Sequence, residues 1–144
     1  MLTAASVVVC ALSLLGRSEA RMPRIELIEV APPDVSVGAE AFVRRETQTI
    51  YLITSSSVFQ SALRNPGHCS ETVAMRKLAS ILAHEEWHIQ NGPDEKGAYQ
   101  RQLIALIQLG LPPGSGVYRE VQVSMLRVVE ARKRAKPERM LASR

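Results

Sequence analysis

The 144-residue chain predicts an α+β domain, a short sheet or hairpin followed by three helices. Three observations carry this. Two stretches between residues 24 and 53 place apolar residues at strand spacing. From residue 70 to 128, apolar residues recur three and four apart, the period of a helix. Gly and Pro at 66–67, 92–93 and 110–114 then cut that second region into pieces of helix length.

The strands come first. "RIELIEVAP", from Arg24, sets Ile25, Leu27 and Ile28 among acids and stops at Pro32-Pro33. "AFVRRETQTIYLITSS" reads as a hairpin, with Phe42 and Val43 in one arm and Ile50, Tyr51, Leu52 and Ile53 in the other. Its polar middle, "RRETQT", lacks the Asn-Gly of a tight two-residue turn. Residues 56–63 predict a short helix that ends before Asn65-Pro66-Gly67.

The first long helix is expected to start near Ser70, a good N-cap. Met75, Leu78, Ala79, Leu82 and Ile89 mark its buried face. Gly92 can end it in a left-handed conformation, and Pro93 cannot continue it. Pro93 suits the first position of the next helix, Asp94 to Leu109, with Asp94 and Glu95 in its first turn. Ala98, Leu103, Ile104, Leu106 and Ile107 are its apolar residues. A third helix follows Ser115, with Val117, Val121, Met125 and Val128 on one face.

Composition fits a single globular domain: 46% of residues are hydrophobic and 22% charged. Aromatic residues are so few that the core must rest on aliphatic side chains. Residues 1–20 stand apart. "MLTAASVVVCALSLLG" has the length of a signal-peptide apolar core, and Ser18 and Ala20 supply small residues for cleavage after Ala20. The alternative is an uncleaved membrane anchor, for which the run is short. Cleavage would leave Cys69 as the one cysteine of a secreted or periplasmic chain, without an internal disulfide.

The organisation expected is therefore a signal peptide (1–20), a domain (21–130) and a basic tail (131–144). From Arg127 onward seven basic residues face two acidic ones. Such a segment can touch nucleic acid or anionic lipid. It reads here as a solvated helix end, where cations suit the helix dipole. No nucleic-acid partner and no stable membrane insertion are expected.

The chemistry concentrates in "HEEWH". His84 and His88 are four apart, so on a helix both imidazoles point the same way from adjacent turns and can meet one ion. Glu85 lies about 100° round the helix, where it reaches a water on the ion's open side. This is the logic of His-Glu-x-x-His: two ligands and a general base. A catalytic zinc needs a third ligand. Asp94 and Glu95 both lie where the Gly92-Pro93 reversal returns the chain. A solvated helix face is the plain alternative. The apolar flanks oppose it, because buried polar groups need partners.

"HEEWH" followed by "NGPDEKGAYQ" resembles the zincin superfamily of zinc metallopeptidases, closest to members whose third ligand is a Glu followed by Ala three residues on. The resemblance covers residues 81–106. It implies Zn²⁺ held by His84, His88 and Glu95, with Ala98 keeping the second helix close. The short spacing to Glu95 approaches that of metzincins, by whose count Asp94 would ligate. Tyr99 stands where Asp is common in the family. The resemblance also implies a small sheet before the motif helix and hydrolysis of a peptide or protein substrate. In that reaction Glu85 takes a proton from the zinc-activated water. Tyr99, Tyr118 and His68 are the candidates for steadying the oxyanion, and Tyr99 can equally support the ligands. Trp87 reads as a packing residue. The competing class is a zincin-like metal-binding or interaction domain without proteolytic activity.

Overall fold

The computed structural model describes residues 1–142. They form a small α+β domain with one three-stranded sheet and five α-helices. The strands are β1 (Arg24–Ile28), β2 (Ala41–Arg44) and β3 (Thr49–Ile53). The helices are α1 (Ala4–Leu14), α2 (Ser57–Leu63), α3 (Val73–Asn91), α4 (Glu95–Gln108) and α5 (Gly116–Ala142).

The expected hairpin is present. β2 runs antiparallel to β3, pairing Ala41 with Leu52, Phe42 with Tyr51, Val43 with Ile50 and Arg44 with Thr49. A short turn at 45–47 and Gln48, in the left-handed region at φ 52°, connect them in place of a two-residue turn. β1 pairs with β3 in parallel, so the sheet order is β1-β3-β2. β3 is thus the covered central strand, with Ile50 and Leu52 wholly buried, and β2 is an edge.

α3 begins later than expected. Thr72, not Ser70, is its N-cap, accepting from the Met75 N–H at 3.2 Å. Ser70 is held in the preceding turn: the Asn65 carboxamide accepts its N–H and donates to its carbonyl. All five apolar residues of the expected face, Met75, Leu78, Ala79, Leu82 and Ile89, are buried. They pack with α2 (Val58, Phe59, Ala62) and β3 into the main core. A second cluster, Leu103, Leu106, Leu111 and Val121, joins α4 to α5. Ile104 and Ile107 lie outside it and are about half exposed, because α4 turns only one face inward. Residues 131–142 continue α5, while Ser143 and Arg144 lie outside the described residues.

The segment expected as a leader forms α1, capped by Thr3. Val7, Val8, Cys10, Ala11 and Leu12 are buried in the main core. Cys10 is disulfide-bonded to Cys69, 59 residues away, whereas a chain cut after Ala20 would keep only Cys69. Arg17, just beyond α1, pairs at 3.1 Å with Glu86, which is only 4% exposed. No helix among the described residues is long and apolar enough to cross a membrane.

Candidate metal centre

α3 presents His84 and His88 one turn apart with Glu85 beside His84, and all three are buried, at 7%, 5% and 7% exposure respectively. A solvated helix face is therefore not what these residues form. Their polar atoms must be satisfied from other elements, and α4 supplies most of the partners.

The α3–α4 turn explains how. Gly92 adopts φ 115°, a conformation that favours glycine, and its N–H bonds back to the His88 carbonyl at 2.9 Å. Pro93 precedes α4 rather than opening it, because Asp94 takes the N-cap position. Both Asp94 carboxylate oxygens are used there, accepting from the Lys96 and Gly97 N–H groups at 3.3 and 3.2 Å. Glu95, the first helical residue, is thereby turned toward α3. Its Oε1 lies against His88 Nε2 and 3.8 Å from His84 Nε2. One donor atom each from His84, His88 and Glu95 falls within 4.8 Å of the other two. Asp94 is not part of that cluster.

The second nitrogen of each imidazole is committed elsewhere, and this fixes the tautomers. The Ser80 hydroxyl donates to the Lys77 carbonyl at 2.6 Å, so Ser80 Oγ accepts from Gln102 Nε2 at 3.2 Å. The Gln102 carbonyl oxygen then faces His84 Nδ1 at 2.9 Å and can only accept. In the neutral ring of His84, Nδ1 therefore carries the hydrogen and Nε2 is the free nitrogen. His88 is held the same way, its Nδ1–H donating to the Gly92 carbonyl at 2.8 Å. Two Nε2 atoms and a carboxylate oxygen so converge with their outer hydrogen bonds in place, the donor set that suits a divalent metal.

The charges follow from the packing. Burial pushes the Glu85 carboxyl above its ordinary range, against the pull of the two imidazoles. Glu95 is driven the other way: burial would raise it, but the two imidazoles that face it hold it far below the carboxylate range. Burial opposes charge on His88, yet Glu95 and the Gly92 carbonyl outweigh it and raise its pKa. Glu85 Oε1 lies 3.9 Å from His84 Nε2, beside the cluster rather than in it.

The site opens on a cleft of about 820 Å³. The β2 edge with its preceding loop forms one wall, and α5, with Val121 and Arg127, the other. Lys77 bridges these walls, pairing with Glu40 before β2 and Glu120 on α5. Of the three oxyanion candidates, Tyr99 lines the cleft; its ring meets the His84 ring edge-on at 4.6 Å. Burial and the neighbouring carboxylates push its hydroxyl up to about 12, so it stays a donor at neutral pH. Tyr118 packs against the second core cluster, and His68 is exposed on the loop before α3. Gln102 escaped the sequence reading although it left a signal: Glu95, Tyr99 and Gln102 stand at i, i+4 and i+7, one face of α4. Arg17 left none, because its pairing with Glu86 spans 69 residues.

Comparison of the chain with protein-family models, curated proteins and solved structures finds no match.

Proposed function

We propose that this domain is a zinc-dependent metallopeptidase of zincin type, with His84, His88 and Glu95 as the zinc ligands and Glu85 as the general base. The observation that carries the reading is the placement of Glu85. A buried carboxylate stands next to two imidazoles whose free nitrogens face a third donor, at the floor of an open cleft.

Zinc in such a site supplies a Lewis acid and a water of lowered pKa. The chain's own groups do the rest. Glu85, made more basic by burial, would accept a proton from the attacking water and return it to the leaving amine. Tyr99 offers a phenol hydrogen to negative charge developing on the substrate carbonyl. The outer side of β2, unpaired within the sheet, gives an extended peptide a main-chain partner along the cleft wall. The Cys10–Cys69 bond fits work in an oxidising compartment.

The test is zinc content and cleavage of an unstructured protein, for wild type and Glu85→Gln. The substitution is expected to keep zinc and abolish cleavage. Zinc without cleavage in the wild type would favour a metal-binding domain that is not a peptidase. No zinc in the wild type would end both readings.

A further inference from the structure

The chain has one tryptophan, Trp87, between Glu86 and His88. Its indole lies across the first turn of α4. A Cβ built on Gly97 would fall 2.3 Å from Trp87 Cζ2 and 2.4 Å from Cη2, far inside carbon–carbon contact. The ring thus fills the place that a side chain at 97 would take. Gly97 is held from a second side as well, because its N–H donates to Asp94 at the cap. Glu95 stands two residues away in the same turn. The next residue, Ala98, is completely buried, so α4 approaches α3 through two small residues in succession. A glycine inside a helix is ordinarily a weakness that alanine would relieve. Here the close approach of the indole accounts for it. The same indole also meets the His88 ring edge-on, with centroids 5.9 Å apart.

We propose that Trp87 and Gly97 are positioning residues that set how close the first turn of α4 lies to α3, and through it the reach of Glu95 to the two imidazoles. This rests on the reading of His84, His88 and Glu95 as a zinc site, and it adds the part that holds the third ligand in place. A methyl group at 97 either lifts α4 away from α3 or drives the indole out of its seat. Both moves disturb Glu95, and the second also disturbs the packing on His88.

The experiment measures zinc affinity by titration against a competing chelator, for wild type, Gly97→Ala, Trp87→Phe and the double variant. Circular dichroism of the zinc-free proteins reports folding, and the emission of the lone tryptophan reports the indole's seat. Gly97→Ala is expected to weaken zinc binding by about ten-fold or more, as loss of outer support for a ligand does, and to shift the emission to the red. The shorter Phe ring leaves room for the methyl group, so Trp87→Phe in the Gly97→Ala background should recover most of the lost affinity, a coupling that only contacting residues show. Wild-type affinity in Gly97→Ala would overturn the proposal, as would losses in the two single variants that merely add. If Gly97→Ala does not fold, the double variant decides: zinc binding close to that of Trp87→Phe supports the proposal, and failure to fold overturns it. A wild type that binds no zinc removes the zinc reading itself, an outcome distinct from tight binding that ignores position 97.

Discussion

Gln102 Oε1 lies 2.9 Å from His84 Nδ1, so a residue of α4 decides which nitrogen of an α3 histidine is free. The polarity is set by Ser80, whose hydroxyl hydrogen is already given to the Lys77 carbonyl. Replacing Gln102 with Leu removes the acceptor and frees the ring to change tautomer. In the proposed zinc site, affinity should fall about 10- to 100-fold. A chelator competition titration checks it, and unchanged affinity would show that Gln102 has no part in holding the ligand.

Asp94 and Glu95 are neighbours with separate tasks. Asp94→Ala is expected to retain zinc while losing a helix cap worth about 1 kcal/mol, a fall of about 2–4 °C in Tm. With zinc bound as proposed, Glu95→Ala should lose it outright. Metal content and a thermal melt for both variants check the assignment; loss of zinc in Asp94→Ala with retention in Glu95→Ala would reverse it.

Residues 1–20 contribute buried Val7, Val8, Ala11 and Leu12, one half of the disulfide, and the cation that pairs with buried Glu86. A large buried aliphatic side chain is worth about 2–5 kcal/mol, against a total stability of about 5–15 kcal/mol. A chain of residues 21–144 is therefore expected to show no cooperative melt. A sharp transition near that of the full chain would mean the remaining domain closes its core without α1. In the full chain, opening the disulfide with the pair Cys10→Ala and Cys69→Ala should cost up to about 4 kcal/mol, from the loop of nearly sixty residues it closes. Denaturant unfolding in oxidising buffer measures it.

Lys77 makes a pH-dependent contribution. Burial works against its charge, but Glu120 and Glu40 outweigh burial and raise its pKa above 10.5. A raised pKa means that the folded state holds the proton more tightly. The stabilisation is complete below about 10.5, the unfolded value, and is lost as pH rises through the higher folded value. Lys77→Met should be less stable than wild type at pH 7, by about 1 kcal/mol after screening at its exposed side. The gap should close in strongly alkaline buffer. A gap independent of pH would assign the loss to packing of the lysine stem.

Much of this domain was legible because its signals are local. The buried face of α3 follows from a period of 3.6 residues, its end from Gly92 and Pro93, and the β2–β3 hairpin from two apolar arms with a polar middle. His84 and His88 declare themselves by a spacing of four. Each of these is settled by backbone geometry within a few residues.

What the amino-acid sequence determined by itself was therefore the parts: strands before helices, and two histidines and a glutamate on one buried turn. Tertiary structure alone decided how they meet. It set β1 parallel against β3, folded α1 into the core through Cys10 and Cys69, and joined Gln102 to His84 and Arg17 to Glu86. It also made Asp94 a cap and turned Glu95 toward the imidazoles, a choice that neighbours one residue apart left open in the sequence. The physical reason is common to all of them. Burial, charge pairing and hydrogen-bond polarity depend on which elements lie across from a residue, and those partners are up to 69 positions away in the chain.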